Sequence, residues 1–172
     1  VGVGNITFDQ TGGGALVVAN ASTVNGTIDL SVAGAALDNA GGTITAATAG
    51  GTGNILLDTT TSGDITLGTL DAAGDTVTIA SAGLIVDDGV GTPDVTAEAV
   101  DLDAGSDIGT VAQAIEIGGV VVLTADATGA SAIFIDTDNA AALTVNSLTT
   151  EGGTISLEHG GGGDVFIAGP VR

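Results

Sequence analysis

The chain has 172 residues and a formal net charge of -20, with 21 Asp and Glu against a single Lys or Arg, yet 44% of its residues are hydrophobic. Such an acidic surface repels nucleic acid and anionic membranes, whereas the high apolar content excludes a disordered acidic tail. Without cysteine, the chain has neither a disulfide framework nor a thiolate metal site.

Short β-strands are predicted from one end of the chain to the other. The 30 Gly disfavour helices, and no window has a sustained apolar stripe at helical spacing. The longest apolar run, Val120–Leu123, is too short to insert into a membrane. We therefore expect an all-β fold with almost no helix. In chain order, the predicted strands are Ile6–Phe8, Leu16–Val18, Ile28–Val32, Thr43–Thr45, Ile55–Leu57, Ile65–Leu67, Val77–Ile79, Leu84–Val86, Val95–Leu102, Ile108–Val111, Ile115–Ile117, Val120–Thr124, Ile133–Ile135, Leu143–Val145, Ile155–Leu157 and Val165–Ile167.

One stretch of sequence occurs three times without insertion. Residues 54–81 match residues 5–32 and residues 132–159 position by position in their apolar pattern. Asp9, Asp58 and Asp136 recur at one repeat position, and we expect them to cap a turn after the strand. Gapless self-similarity of this kind indicates a repeat architecture, in which each unit buries its apolar face against its neighbours.

A step of 22 residues underlies these repeats. From Ile55 it meets only apolar residues, and from Leu57 it meets one exception; the two series are Ile55, Val77, Ala99, Val121, Leu143, Val165 and Leu57, Ile79, Asp101, Leu123, Val145, Ile167. This step predicts a single-stranded parallel β-helix, or β-solenoid, of about 22 residues per coil that runs as one domain over residues 1–172. The irregular segments Val32–Thr43 and Ser81–Val95 are expected to leave the rod as loops.

A second all-β interpretation stays open, namely an extracellular binding module of the β-sandwich type that holds Ca²⁺. Antiparallel sandwiches also have closely spaced short strands, but they need turn sequences suited to hairpins. Only Asn25-Gly26 and Asp88-Gly89 are of that kind.

Four sequence blocks resemble the repeat regions of large bacterial exoproteins of the filamentous haemagglutinin type. They are SGDITLGTL at Ser62–Leu70, DTVTIASAG at Asp75–Gly83, DVTAEAVDLDAGSDIGT at Asp94–Thr110 and GGTISLEHGGGGDVFIAG at Gly152–Gly169. The resemblance spans roughly residues 55–169 and implies a right-handed parallel β-helix in the shaft of a secreted protein. It implies roles in adhesion, aggregation or biofilm formation. The chain departs from the family in its near absence of Lys and Arg.

No set of residues has the pattern of an enzyme site. Arg172 and His159 are the only basic side chains, and Trp and Tyr are absent, which argues against a lyase or hydrolase of polysaccharides. We expect His159 to be a solvated residue in a Gly-rich turn. Pairs of Thr at Thr43 and Thr45 and at Thr76 and Thr78 are of the kind found in a flat ice-binding ladder. They do not recur at the coil step, which argues against that function. We therefore assign no catalytic and no cofactor-binding residue.

Clustered carboxylates are the remaining candidates for a site. Asp101, Asp103 and Asp107 form one cluster and Asp136 and Asp138 another, and oxygen-rich turns are what Ca²⁺ requires. Neither cluster fits a known calcium loop, so no metal ligand is assigned, and Ca²⁺ is kept only as a candidate cofactor. The simpler interpretation is a solvated acidic surface that limits side-by-side association.

The sequence therefore predicts a non-enzymatic, extracellular structural or adhesive β-solenoid of bacterial origin. It would be the shaft of a surface adhesin or a subunit of a cell-surface filament. Neither end has an amphipathic cap, so we expect the chain to continue in a longer protein or to associate end to end with copies of itself. A host surface or a neighbouring cell would be the adhesive partner.

Overall fold

The computed structural model describes residues 3–46, 53–90 and 93–172, and all helical or strand structure in this part of the chain is β. The prediction of an all-β fold is confirmed. No helix long and apolar enough to cross a membrane occurs among these residues. The strands are β1 (Ile6–Gln10), β2 (Leu16–Val17), β3 (Asn20–Thr23), β4 (Ile28–Ala33), β5 (Leu37–Asp38), β6 (Thr43–Ala46), β7 (Ile55–Thr60), β8 (Ile65–Leu67), β9 (Thr69–Ser81), β10 (Ile85–Asp87), β11 (Val95–Ala104), β12 (Ile115–Gly118), β13 (Val122–Ala127), β14 (Ile133–Asp138), β15 (Leu143–Thr150), β16 (Ile155–Gly160) and β17 (Val165–Ile167).

The strands stack in parallel as a β-solenoid of about 7 turns, with equivalent strands roughly 23 residues apart. β1 pairs with β4, β4 with β7 and β7 with β9, always one coil further along the chain. All strand pairs among the described residues are parallel, so the β-sandwich alternative is wrong. A sandwich needs antiparallel neighbours, whereas a coil of two or three strands brings each strand back in the same direction.

Two parallel sheets form the walls of the rod. The larger has 13 strands and the smaller has four, in the order β10, β8, β5, β2. Single bridges from Ile85 to Ile108 and from Ile108 to Ile133 continue the smaller wall until it meets β14. The walls therefore run without a break along the described part of the chain.

The core is a set of apolar columns parallel to the rod axis. Along β4 the side chains alternate between buried and half-buried, as expected for a strand with one face inward. Ile28 lies in register with Ile55, and Ile55 with Val77, so that like residues stack coil upon coil. Ile65 and Leu67 of the smaller wall are also fully buried. Burial of each such side chain contributes roughly 1.5 to 3 kcal/mol.

The coil length is not constant, and the strict step of 22 residues fails in the middle of the rod. Val77 pairs with Val100, and Val100 with Leu123, both steps of 23 residues. The register shifts between Ala97 and Ala99, so Ala99 is only half-buried, as is Val121. The single exception in the predicted series has the same cause, because Leu102 rather than Asp101 pairs with Ile79.

The two segments predicted to leave the rod instead contribute strands to it. Val32–Thr43 contains β5, whose Leu37 is fully buried, and Ser81–Val95 contains β10, whose Ile85 is fully buried. Residues 91–92 of the second segment lie outside the described residues. β5 has only two residues, too few for the alternation of apolar and polar positions to be recognised, whereas β10 lies where the strand Leu84–Val86 was predicted. An excursion does occur at residues 110–114, where Val111 is 85% exposed.

In the end coils, side chains are exposed at positions that are buried in the interior coils. Ile167 aligns with fully buried Val145 but is 58% exposed itself, because no further strand covers β17. At the other end, Phe8 of β1 is 46% exposed, although its partner Leu30 is buried. The rod thus presents an apolar surface and an unpaired strand edge at each end of the described chain.

Candidate functional site

The three aspartates expected to cap turns lie instead within strands. Asp9 is in β1, Asp58 in β7 and Asp136 in β14, and the last two strands continue for two residues beyond the aspartate. Asp58 accepts a hydrogen bond from the Ser31 hydroxyl of the preceding coil, at 3.4 Å. The prediction of turn caps is wrong because these positions point outward from the pleat, and the turn comes later.

A long open groove follows the larger sheet and is lined mostly by small and acidic residues. Its volume is about 970 Å³. Carboxylates line it at Asp58, Asp103, Asp126 and Glu151, and Arg172 lies at its end. Ala, Gly, Ser and Thr form the rest of the lining, so the groove offers no aromatic surface to a ligand.

Two carboxylates face each other across neighbouring strands in this groove. Asp103 of β11 is in register with Asp126 of β13. Burial raises the pKa of Asp103 above its usual range, and the negative charge of Asp126 raises it further. The pKa of Asp101 is also raised, chiefly by burial and then by Asp103 and Asp126. Asp126 is stabilised by the hydroxyl of Ser147, 3.0 Å from its Oδ1, and by that of Thr149.

The first predicted carboxylate cluster is not brought to one point. Asp101 and Asp103 both lie on β11, but only Asp103 lines the groove with Asp126. Asp107 instead accepts a hydrogen bond from the backbone N–H of Ala132, at 2.6 Å, and so joins one coil to the next. Asp107 is a structural residue.

The second predicted pair, Asp136 and Asp138, belongs to a ladder of carboxylates across three strands. Glu116 of β12 is in register with Asp136 of β14, and Asp136 with Glu158 of β16. Glu116, Asp136 and Asp138 line a second open groove of about 390 Å³ with Pro93. Like charges at adjacent positions of a sheet repel one another, so this face attracts cations.

Three carboxylates converge at the margin of this groove. They were not predicted from the sequence as a group. Oxygens of Asp87, Asp94 and Glu116 all lie within 4.8 Å of one another. Asp87 ends β10, Asp94 lies directly before β11, and Glu116 is on β12 in the next coil. We call these three residues the acidic cluster.

Asp94 is the most deeply buried member of the acidic cluster, with an exposed fraction of 2%. Its Oδ2 accepts a hydrogen bond from the backbone N–H of Glu116, at 2.8 Å. Burial holds the pKa of Asp94 well above its usual range; the backbone N–H opposes this, while the carboxyl of Glu116 and the charge of Asp87 reinforce it. The Oε2 atom of Glu116 is buried and has no hydrogen-bond partner.

A signal for two of these residues does exist in the sequence. Asp94, Glu116 and Asp138 follow one another at the coil step of 22 residues, and Val95 and Ile117, directly after the first two, are in register. The coil step therefore aligns acidic as well as apolar residues. Asp87 has no such signal, because it stands 7 residues before Asp94 (94 − 87) and not at the coil step.

His159 is not the solvated turn residue that the sequence suggested. It lies within β16, half-buried, with Nδ1 2.7 Å from the hydroxyl of fully buried Thr137. Its Nε2 is buried without a hydrogen-bond partner. The prediction is wrong because β16 extends to Gly160, which places His159 in register with Thr137 on the inward face.

No family model matches the chain, and no curated protein or solved structure matches it. The resemblance to exoproteins of the filamentous haemagglutinin type therefore has no support from these comparisons.

Proposed function

We propose that this chain is a non-enzymatic structural segment of an extracellular protein, as the shaft of a surface adhesin or a subunit of a cell-surface filament. The observation that carries the proposal is the pair of open, apolar ends on an otherwise well-buried rod. Each end offers strand edges on which another coil can continue the parallel ladder. Adhesion, aggregation and biofilm formation are the corresponding roles.

The composition of the surface supports a structural role. The groove of about 970 Å³ is open and is lined by small residues and carboxylates, with Arg172 as its one basic residue. A rod with a net charge of -20 repels its copies side by side, so association at the apolar ends is favoured over lateral aggregation. The Ca²⁺-binding sandwich module does not remain as a second candidate, since the fold is a solenoid.

A substitution in the last coil tests end-to-end association. In Ile167→Asp, a carboxylate replaces a side chain that occupies a core position of β17 but is 58% exposed, so the fold should tolerate it. Sedimentation velocity at rising protein concentration should show linear oligomers for the wild-type chain. The variant should stay monomeric, because docking would bury its charge.

Val111→Asp is the matched control, because Val111 is 85% exposed on the excursion and far from either end of the strand stack. It should associate as the wild-type chain does. Wild-type protein that remains a short monomeric rod in negative-stain images at every concentration would contradict the filament proposal. Equal loss of association in both variants would point to lateral contacts instead.

A further inference from the structure

A third open groove, of about 330 Å³, is lined by residues of the excursion at 110–114 and of β14 and β16. The excursion contributes apolar side chains, among them Val111 and Ala114, and β14 contributes Phe134. We call this surface the Phe134 groove. It lies on the flank of the rod, away from the two apolar ends.

Phe134 offers an aromatic ring to this groove. It is one of three aromatic residues of the chain, and the other two, Phe8 and Phe166, lie on the first and last strands. Phe134 is half-buried between Ile133 and Ile135, whose side chains are buried, so its own side chain points outward from the pleat. An outward ring in a groove can contact a ligand through its face.

Hydrogen bonds hold the excursion in place beside Phe134. The Thr110 N–H donates to the carbonyl oxygen of Gln113 at 2.7 Å, and the Gln113 N–H donates to the Thr110 hydroxyl oxygen at 3.0 Å. Gly109, directly before the excursion, has a φ of +65°, and a Cβ atom there would lie 2.5 Å from the carbonyl oxygen of Phe134. The groove is therefore formed before any ligand arrives, which lowers the entropic cost of binding.

Three carboxylates give the Phe134 groove a negative charge. Glu116, Asp136 and Glu158 line it and lie in register on β12, β14 and β16, with steps of about 4.8 Å between neighbouring strands. The one Lys or Arg of the chain, Arg172, lines the groove of about 970 Å³ instead. A cation that balances these three carboxylates therefore has to come from another molecule.

We propose that the Phe134 groove binds a Lys or Arg side chain that a partner protein presents on a basic segment. Such a side chain has an apolar stem and a cationic head. The stem would pack against Phe134 and Val111, and the head would lie near the carboxylates of Asp136 and Glu158. Charge and apolar contact thus act together, because a cation is also attracted to the face of an aromatic ring.

The surroundings of the groove favour a protein over a free polyamine as the source of the cation. A volume of about 330 Å³ is at the lower limit of small-molecule pockets, and holds one long side chain with its hydrating water. Val111, at the rim, is 85% exposed. The Gln113 side chain lies against Gly89, whose neighbour Val90 is 70% exposed. These two Val side chains would contact apolar residues that flank the Lys or Arg.

NMR titration of the whole ¹³C-labelled chain with a short peptide tests the groove directly. The probe is an acetylated and amidated pentapeptide with Lys at its centre and Leu on either side. Because the chain has three Phe and neither Trp nor Tyr, the ring signals of Phe134 can be followed individually. They should shift with this peptide, and should not shift when Gln replaces its Lys.

Phe134→Leu tests the aromatic contact, since it keeps an apolar side chain and removes the ring. The methyl signals of Val111 report binding in this variant, and the affinity for the Lys peptide should fall roughly three- to tenfold. Leu56→Ala is the matched control, because Leu56 is an outward residue of β7 with 36% exposure and is not among the residues that line the three grooves described. Its affinity should equal that of the wild-type chain.

Asp136→Asn tests the charge at one position of the groove. Its affinity for the Lys peptide should fall roughly two- to fivefold, as for the loss of a partly exposed ion pair. Glu98→Gln removes the same charge at an exposed position outside the groove and should leave the affinity unchanged.

Failure of the Phe134 ring signals to shift in the wild-type chain would overturn the proposal. Equal weakening by Asp136→Asn and Glu98→Gln would also overturn it, because the total charge of the rod would then attract the peptide. Putrescine that binds as tightly as the peptide, with the same shift of Phe134, would replace the partner protein by a free polyamine. Should Phe134→Leu fail to fold, as judged by circular dichroism, the wild-type titrations with the Lys and Gln peptides decide the question.

Discussion

Buried hydroxyls hold the corners where strands of the larger sheet turn toward the smaller one. Thr59 and Ser81 are in register and both buried, at 3% and 6% exposure. The Thr59 hydroxyl donates to the carbonyl oxygen of Gly63 at 2.8 Å, and that of Ser81 donates to the carbonyl oxygen of Leu84 at the same distance. Turn carbonyls that face the core are thereby satisfied. A buried Thr or Ser at the end of an apolar strand therefore stabilises the turn that follows it.

Gly63 lies in one of these corners and has no room for a side chain. Its φ is +122°, and a Cβ atom there would collide with the carbonyl group of Ala35 in the preceding coil. We expect Gly63→Ala to lower the free energy of unfolding by about 2 to 4 kcal/mol, through backbone strain and displacement of the neighbouring coil. Urea denaturation followed by circular dichroism measures this change.

Gly74→Ala separates the contribution of backbone strain from that of the displaced neighbouring coil. Gly74 has a φ of +83°, but a Cβ atom there would have no neighbour within 4 Å, so only the strain of about 1 kcal/mol should appear. Equal losses in the two variants would show that contact between coils at Gly63 does not contribute.

At the scale of elements, stability depends on which residues successive strands place beside one another. Parallel pairing in register stacks each outward residue on the equivalent residue of the next coil, about 4.8 Å away. Asp126 thus lies beside Asp103 on one side and Thr149 on the other, with repulsion from the first and a hydrogen bond from the second. The register between successive coils therefore determines which charged side chains lie beside one another.

The pair formed by Asp103 and Asp126 should make stability depend on pH. The pKa of Asp103 is higher in the folded chain than the usual value near 4, so the native state binds the proton more tightly than the unfolded state does. Stability from this group is fully present below the unfolded pKa and is lost as pH rises through the folded pKa. In EDTA, the free energy of unfolding should therefore fall as pH rises from about 4 through the raised pKa of Asp103.

Asp103→Asn should raise Tm at pH 7 by roughly 1 to 3 °C and flatten the pH profile, because the repulsion by Asp126 is removed. Asp9→Asn is the control for net charge, since Asp9 is in register with Ser31 rather than with a carboxylate. Differential scanning calorimetry over this pH range measures both. An identical pH profile in the wild-type chain and Asp103→Asn would show that the pair does not contribute to the pH dependence of stability.

On the scale of the whole molecule, the solenoid is a one-dimensional stack in which each coil is held only by its neighbours. Interior coils have a neighbour on both sides, and their columns are fully buried, as at Ile55, Val77 and Leu102. The last coil has one neighbour, so Val165 and Ile167 are 41% and 58% exposed. Stability should therefore decrease from the middle of the rod toward its ends.

Hydrogen exchange at low protein concentration, where end-to-end association is minimal, should reveal this gradient. Amides of β7 and β9 should exchange slowest, and those of β1 and β17 fastest, because terminal coils can open without disrupting the interior. Mass spectrometry of proteolytic fragments gives the necessary resolution. Uniform protection from β1 to β17 would mean that the rod unfolds as one cooperative unit.

The acidic cluster shows how far sequence reasoning reaches toward a site. The coil step aligns Asp94 with Glu116, so their neighbourhood could have been found by extending the periodicity to acidic residues. Asp87 could not, because it precedes Asp94 by fewer residues than one coil and only the folded structure brings their oxygens together. Of the candidates based on adjacency in sequence, only Asp107 lies apart from its neighbours, because it joins one coil to the next.

The sequence by itself determined the all-β class and the parallel solenoid with coils of about 22 residues, because both follow from the periodicity of apolar residues and the abundance of Gly. Only the tertiary structure decided the register in the middle of the rod, the inward position of His159 and the members of the acidic cluster. The physical reason is that one additional residue in a coil shifts the pairing and turns later side chains to the other face. Such a shift depends on packing between coils and leaves no local mark in the sequence.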